Sequence, residues 1–399
     1  MIVYNILVVI VAAISLPYIL IRFKGKERKQ RLGFIGKPFS QKTIWIHAAS
    51  VGEVNAAKDL IKKIHNNQQV VVTTMTATGQ KIASSLPVKT FFLPFDCILM
   101  MLRAYKRLQP KAIVLVETEF WPNMLWIAKL KKIPVFVVNG RLSDKSFRNY
   151  LRTSFFWKTP WKAIKAVSAQ TKLDMEKFKK LDFSDVKNNG NLKFNIQLPF
   201  YHKKELRNEY GYSEKDFIVV WGSSRPGEEK LLRSIFASLE EKITDLCLIV
   251  VPRHLNRMSE IKEIFPDFGL FSRENRKSKH IIVDEMGQLA KLYSIADLAI
   301  VGGSFYDFGG HNPLEPAFYG IPIIMGPYYS SCQDSVNKLQ KNEAIVISDP
   351  KNLKNDIISL FYNEEIRKKL GKRAKKTMQE NSDNLQNTYN FLKERLQNV

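Results

Sequence analysis

The chain is short of cysteine, histidine and acidic residues, and each shortage closes off a class of function. Only three cysteines, Cys97, Cys247 and Cys332, occur in 399 residues, far apart and without a CxxC spacing. Neither a disulfide framework nor a thiolate zinc site is encoded, and a reducing cytoplasm is the simplest home. None of the six histidines has a second histidine or a cysteine three or four positions on, and no DxD-like metal motif is evident. No metal site is therefore expected. Asp and Glu number 38 against 62 Lys and Arg, a net charge of +24, which calls for a polyanionic partner: nucleic acid, anionic lipid or a phosphorylated substrate. No aromatic platform interleaves with the basic residues, as single-strand binding would require, so nucleic acid is not expected as a partner. There is no repeat of fixed period, and only one long apolar run.

That run is residues 1–21, MIVYNILVVIVAAISLPYILI, of the roughly 20-residue length needed to cross a hydrocarbon core. Asn5, Ser15 and Pro17 interrupt it. Its basic residues (Arg22, Lys24, Lys26, Arg28, Lys29 and Arg31) follow it instead of preceding it, so it reads as a retained membrane anchor and not as a cleaved signal. The same residues place the remainder of the chain on the cytoplasmic side, over anionic headgroups. Whether the segment spans or lies in the membrane is open, and a buried N-terminal helix is the alternative.

Beyond it, short β-branched runs alternate with helical periodicity. Residues 44–49, 70–74, 112–117, 134–139 and 165–170 are buried-strand sequences, and Val54, Ala57, Leu60, Ile61 and Ile64 recur at helical spacing between the first two. The series breaks at NIQLPFYHKKELRNEYG and restarts at 217–222, followed by 246–252, 280–285, 297–303 and 321–326. The chain therefore predicts an α/β protein of two Rossmann-like domains: an anchor at 1–22, a first domain at 23–196, a second at 197–375, and a C-terminal helix within 376–399 able to pack back on the first domain. In such sheets ligands bind at the carboxyl ends of the strands, which predicts a cleft between the two domains.

The polar groups collect at those strand ends. Glu53, behind Ser50-Val51-Gly52, falls in the first turn of a helix, where a carboxylate also simply offsets the helix dipole by ~0.3–1 kcal/mol. Glu117 and Glu119 close an apolar strand, with Arg141 of NGRLSD as a candidate ion-pair partner; a period of two puts both carboxylates on one side. In GSSRPGEE, Ser223, Ser224 and Arg225 precede a helix, a setting that suits phosphate, although no Gly-Lys-Ser/Thr follows to make a P-loop. Arg253 and His254 end the next strand, fit either to fork onto phosphate or to pair with a carboxylate. The densest cluster is VGGSFYDFGGHNPLEP: Gly302, Gly303 and Ser304 permit close backbone approach, and His311, Asn312 and Glu315 surround a helix start, where Asn312 with Glu315 also resembles a capping box.

Taken together, HAASVGEVNAA, ETEFWPN, NGRLSDKSF, GNLKF, GSSRPGEE, VPRH, DEMGQLAKLYSIADLAIVGGSF and GGHNPLEPAFYGIPIIMGP, in that order, resemble the Kdo transferase family. The resemblance implies a GT-B fold, with the acceptor side in the first domain and the nucleotide sugar in the second. It implies an inverting, metal-independent transfer of 3-deoxy-D-manno-oct-2-ulosonic acid from CMP-Kdo to a lipid A precursor such as lipid IVA, at the cytoplasmic face of the inner membrane, with no cofactor. By the same resemblance Glu53 is the general base and Glu117 supports the active centre. Lys193 of GNLKF is a cation for the Kdo carboxylate or the phosphate, with Arg141 and Glu119 also on the substrate side. The Gly302–Ser304 turn, Arg253, Asn312 and Glu315 would hold CMP, with Glu315 accepting ribose hydroxyls; Ser223, Ser224, Arg225, His254 and His311 complete the nucleotide-sugar set. The competing expectations are a membrane-associated GT-B enzyme using a UDP-sugar, and a basic membrane-tethered protein without catalysis.

Overall fold

The computed structural model describes residues 1–272, 278–397 and 399, which divide into two compact units. Unit 1 comprises Met1–Asn195 with Asp383–Val399, and unit 2 comprises Ile196–Ser382.

Unit 1 is built on β1 (Thr43–His47), β2 (Val70–Thr74), β3 (Lys89–Phe92), β4 (Pro110–Val116), β5 (Val135–Gly140), β6 (Ile164–Ala169) and β7 (Val186–Asn188), all parallel, in the order β3-β2-β1-β4-β5-β6-β7. The inner strands are Val- and Ile-rich because both faces are covered. Alternate residues go to opposite layers. Trp45, Ile113, Leu115, Val135 and Val137 pack with Met101, Tyr105 and Met124 of the helices Ile98–Leu108 and Pro122–Leu130. Ile44, Ile46, Val70, Val72 and Val114 pack beneath Val54, Leu60 and Ile61 of the helix Val51–His65.

Unit 2 repeats the plan with β8 (Phe217–Ser224), β9 (Leu246–Pro252), β10 (Gly269–Leu270), β11 (Ile281–Ile282), β12 (Leu298–Val301), β13 (Ile323–Met325) and β14 (Val346–Ile347), in the order β10-β11-β9-β8-β12-β13-β14. Val219, Trp221 and Val250 meet Leu232, Phe236 and Leu239 of the helix Glu228–Lys242. Ile218, Val220, Ile249 and Val251 meet Leu292, Tyr293 and Ile295 of the helix Leu289–Ile295.

The C-terminal stretch crosses between units later than its sequence suggests. The helix Glu364–Gln379 stays with unit 2: Leu370 joins the core there, and Gly371 lies so close to Gly320 that a Cβ would sit 2.1 Å from its carbonyl oxygen. The chain changes unit at 382/383, not at 375/376. The last helix, Asn384–Leu396, then buries Leu385, Phe391, Leu392 and Leu396 in the unit 1 layer of the helix Val51–His65. Arg395 fixes it by forking onto Asp185 at 2.6–2.9 Å.

The N-terminal helix Ile2–Arg22 is not a core element. No helix among the described residues is long and apolar enough to cross a membrane. It touches unit 1 at a few points, through a 2.9 Å hydrogen bond from the Tyr4 hydroxyl to Asp96, the Tyr4 ring against Phe156, and a buried Ile19. Elsewhere it is bare: Ile2, Ile14 and Ile21 are 78%, 76% and 74% exposed.

Leu392 is fully buried, so Leu392→Ala should destabilise unit 1 by about 2–5 kcal/mol. Hydrogen exchange followed segment by segment should show faster exchange in β1 and β2 with that in β8 and β12 unchanged. Unchanged unit 1 protection would mean that the returning helix is not part of that core.

Candidate active site

Each sheet reverses its direction of winding once, between β1 and β4 in unit 1 and between β8 and β12 in unit 2. The helices that follow β1 and β4 lie on opposite layers, leaving the carboxyl edge between them uncovered. Residues 48–53 and 117–121 meet at the first such point, and residues 223–229 and 302–315 at the second.

At the first point Ser50 caps the helix Val51–His65 with its hydroxyl toward the Glu53 N–H. Glu53 answers in kind: its carboxylate accepts from the Ser50 hydroxyl at 2.8 Å and from the Ala49 N–H at 2.7 Å. This is the reciprocal logic of a capping box, moved one residue outward. It also fixes the Glu53 carboxyl in one orientation, 7% exposed. Burial pushes its pKa up to about 7; the two hydrogen bonds oppose this, and Glu119 and Glu117 reinforce it. A carboxylate titrating near neutrality suits general-base work. His47, at the end of β1, is no rival: it is wholly buried, its Nδ1 faces Thr73, and burial holds its pKa down at about 4.

Glu117 and Glu119 reach the same place by a different route from the one their spacing predicts. β4 stops at Val116 and Glu117 takes a left-handed φ of 60°, so no extended strand carries a period of two through them. Lys193 lies 3.2 Å from the Glu117 carboxylate, an ion pair the spacing does not announce. The Arg141 segment is joined to this loop through its backbone, the Arg141 carbonyl accepting from the Thr118 hydroxyl. Glu119 has its pKa raised by burial and by Glu117. The loop is held from below by Asp96, which accepts from the N–H groups of Asn123 and Met124 at 2.9 and 3.1 Å and so caps the helix Pro122–Leu130 from a distance.

At the second point the structure corrects the expected phosphate nest. The N–H groups of Gly303, Ser304 and Phe305 all donate to the carboxylate of Glu228, at 2.8, 3.0 and 3.0 Å, and the Arg225 N–H does so at 3.0 Å. The Gly302 N–H is taken by the Gly222 carbonyl. A protein carboxylate thus already fills the nest that sequence offers to a ligand. Two serines are removed from the candidate set by the same kind of pairing. Ser304 is fully buried, donating to the Val301 carbonyl and accepting from Gly326. Ser224 donates to Glu229, which Arg257 grips in turn at 2.9 and 3.3 Å. Ser223, like Glu117, is a left-handed residue, with φ 61°; such backbone strain often marks a working site.

What remains open to a ligand is a band of side chains. Arg225 bridges two histidines, to His254 Nε2 at 2.7 Å and to His311 Nε2 at 3.3 Å. Burial and the charges of Arg253 and Arg225 hold His311 down at about 4, and His254 is likewise lowered by desolvation and by Arg225. Glu315 has its pKa raised by burial, with Arg253 pulling it back. Asn312 does not cap as expected. The helix begins at Leu314, and the Asn312 side chain accepts from the Leu314 N–H, two residues on, so no capping box forms with Glu315. Glu228 and Glu229 escaped the sequence reading, because GEE at a helix start looks like ordinary dipole compensation. Among the described residues no group of three His, Cys, Asp or Glu side chains is placed to hold a metal ion.

Residues 26–196 match the family model described as 3-deoxy-D-manno-octulosonic-acid transferase (kdotransferase), and residues 272–377 match that of glycosyl transferases group 1. The chain is 30% identical to the 3-deoxy-D-manno-octulosonic acid transferase of Haemophilus influenzae, covering 98% of this chain and 97% of that one. It is 33% identical to a bifunctional glycosyltransferase/methyltransferase of Fusobacterium nucleatum over 85% of this chain, and spans 56% of that relative's length. A solved glycosyltransferase from Rickettsia africae shares the fold, with a TM-score of 0.57 over 89% of this chain and 98% of that one, at 14% identity.

The raised Glu53 titration predicts a pH signature in stability. The folded state holds the Glu53 proton more tightly than an unfolded carboxyl of ordinary pKa 4.5. The contribution of this site is therefore full below about 4.5 and is lost as pH rises through about 7. Glu53→Gln removes the charge, so the melting temperature of the variant should gain on wild type between pH 5 and 8. A difference independent of pH would place the Glu53 titration outside that window.

Proposed function

The chain belongs to the 3-deoxy-D-manno-octulosonic-acid transferase family, and from that premise we propose that it transfers Kdo from CMP-Kdo to a lipid A precursor at the cytoplasmic face of the inner membrane. The observation that carries the mechanism is Glu53: a buried, doubly oriented carboxyl with a pKa near 7. As general base it takes the proton of the acceptor hydroxyl while that oxygen attacks the anomeric carbon and CMP departs, which inverts the centre. Glu117, with Lys193 beside it, lies at the same strand edge, where burial raises the Glu53 carboxyl and Glu119 and Glu117 add to the effect.

On the donor side Glu315 accepts the ribose hydroxyls and Arg253 meets the phosphate, with Arg225, His254 and His311 lining the same edge. Arginine compensates the developing phosphate charge, so the departure of CMP needs neither a metal nor another cofactor. The nest closed by Glu228 supports this assignment, since it leaves side-chain cations as the phosphate's partners.

The exposed apolar face of the helix Ile2–Arg22, followed by the basic helix Gly25–Arg31, suits a helix lying on an anionic membrane. A glycolipid acceptor carrying phosphates is presented at such a surface.

Incubating the full chain with a lipid A precursor and either CMP-Kdo or UDP-sugars, with product mass read by mass spectrometry, tests the reading directly. A Kdo mass increment with CMP-Kdo alone, undiminished by EDTA, is expected; transfer from a UDP-sugar would overturn the donor assignment. Glu53→Gln should lower the rate by about 10²–10⁴-fold with CMP affinity unchanged, and wild-type kcat/KM should fall tenfold per pH unit below about 7. A variant keeping more than about a tenth of the activity would remove Glu53 from that role.

Deleting residues 1–21 should release much of the protein from anionic vesicles while sparing transfer to detergent-dispersed acceptor. The remaining binding should weaken with salt, because headgroup attraction decays over a Debye length of about 8 Å at physiological ionic strength. Loss of activity on dispersed acceptor would instead make the helix part of the folded body of unit 1.

A further inference from the structure

We propose that Arg225 selects the donor by its sugar carboxylate, and that His254 and His311 hold this arginine in place, still charged, until the donor arrives. This assignment rests on the CMP-Kdo reading given above and extends it from the nucleotide to the sugar.

Arg225 and Arg253 close neighbouring parallel strands, tied by the Arg253 N–H to the Ser224 carbonyl at 3.1 Å. Among the described residues neither guanidinium is in an ion pair with a carboxylate, whereas Arg257 close by is gripped by both Glu229 and Glu260. Arg225 is ordered by neutral groups instead. Its Nη1 lies 2.7 Å from His254 Nε2, its Nε lies 3.3 Å from His311 Nε2, and its guanidinium lies 5.5 Å from the Phe308 ring centre. A guanidinium only donates, so each imidazole offers a lone pair at Nε2 and carries its proton on Nδ1. Gly303 makes room for the pairing: a Cβ there would come within 2.8 Å of the His311 ring and 3.5 Å of Arg225 Cγ. Hydrogen bonds to neutral imidazoles are weaker than those to an anion. An arriving carboxylate therefore takes the fork without having to displace another one.

The order of groups along the edge says which anion Arg225 meets. On β9, Ile249 and Val251 face the layer of Leu292 and Tyr293. Arg253, directly after the end of β9, lies near enough to Glu315 to influence its carboxyl. Arg225 instead lies three residues before the helix Glu228–Lys242, whose Leu232 and Phe236 pack in the opposite layer with Trp221. With the ribose at Glu315 and the phosphate at Arg253, the next group of the donor, the anomeric carbon with its carboxylate, falls toward Arg225. A planar fork matches a carboxylate bidentately, which a lysine ammonium does not.

The test uses the full chain and separates nucleotide from sugar. Binding of CMP is measured by calorimetry, and KM and kcat for CMP-Kdo by transfer to a dispersed lipid A precursor, for wild type, Arg225→Ala, Arg225→Lys and Arg253→Ala, each checked by thermal melting. Arg225→Ala should raise KM for CMP-Kdo by about thirty-fold while CMP affinity stays within about threefold, and Arg225→Lys should recover only part of the loss. Arg253→Ala should weaken both ligands. Equal weakening of CMP and CMP-Kdo in Arg225→Ala would make Arg225 a phosphate residue and overturn the proposal, as would no change in either. Wild type that binds CMP but turns over no CMP-Kdo would overturn the donor assignment itself, and this proposal with it.

Discussion

Both candidate sites depend on one topological constraint, the single reversal of winding in each parallel sheet. When β1 and β4 send their following helices to opposite layers, no helix covers the carboxyl edge between them, and the chain must turn there without regular structure. β8 and β12 impose the same condition in unit 2. Left-handed backbone occurs at both points: Glu117 and Ser223, neither a glycine, have φ of 60° and 61° at the ends of β4 and β8. Such residues persist only where surrounding contacts over-determine them. Glu117 is tied by its N–H to the Val138 carbonyl, and Ser223 is followed by the buried pair of Ser224 and Glu229.

The same residue type, in the first turn of a helix, has three different fates here, decided by its donors. Glu228 accepts four backbone N–H groups from two loops and acts as a strut. Glu229 is matched by the fork of Arg257 and by the Ser224 hydroxyl, and is a buried ion pair. Glu53 is buried with only two donors, and burial raises its pKa to about 7, Glu119 and Glu117 adding to the effect; burial raises the Glu228 carboxyl too, but there four N–H donors oppose it. Dipole compensation is common to all three; what differs is how many donors and cations oppose the cost of burial. Removing a donor from Glu228 would loosen loops, while adding one to Glu53 would lower its basicity.

How far the sequence reveals all this follows from what each residue contacts. The ten strands read from β-branched runs are those with neighbours in the sheet interior, while the four it misses, β3, β7, β10 and β14, are the four sheet edges. Edge strands are short and partly exposed, as with Lys89–Phe92 and Val186–Asn188, so they lack the continuous apolar signal of strands buried on both faces. Glu53 is legible because an apolar strand, a small-residue turn and a carboxylate are contiguous. Glu228 is not, since its partners Gly303, Ser304 and Phe305 lie some 75 residues away, and the glycines that mark a nest do not say who fills it. The Lys193 partnership with Glu117 is hidden for the same reason, the two being joined only by the fold.

The distribution of positive charge at the unit 2 edge follows from what an anion site requires. A cation that must bind a ligand has to be ordered, and the strongest ordering partner, a carboxylate, would also neutralise it and compete with the ligand. Arg257 shows that outcome: paired with Glu229 and Glu260, it is structural. Arg225 is ordered by His254 and His311, which accept hydrogen bonds yet add no negative charge. The neighbouring arginines in turn disfavour a proton on either ring, so the acceptors that hold the guanidinium remain acceptors because of it. The mutual dependence keeps one full positive charge oriented and uncompensated, a state that an aspartate in place of either histidine would abolish.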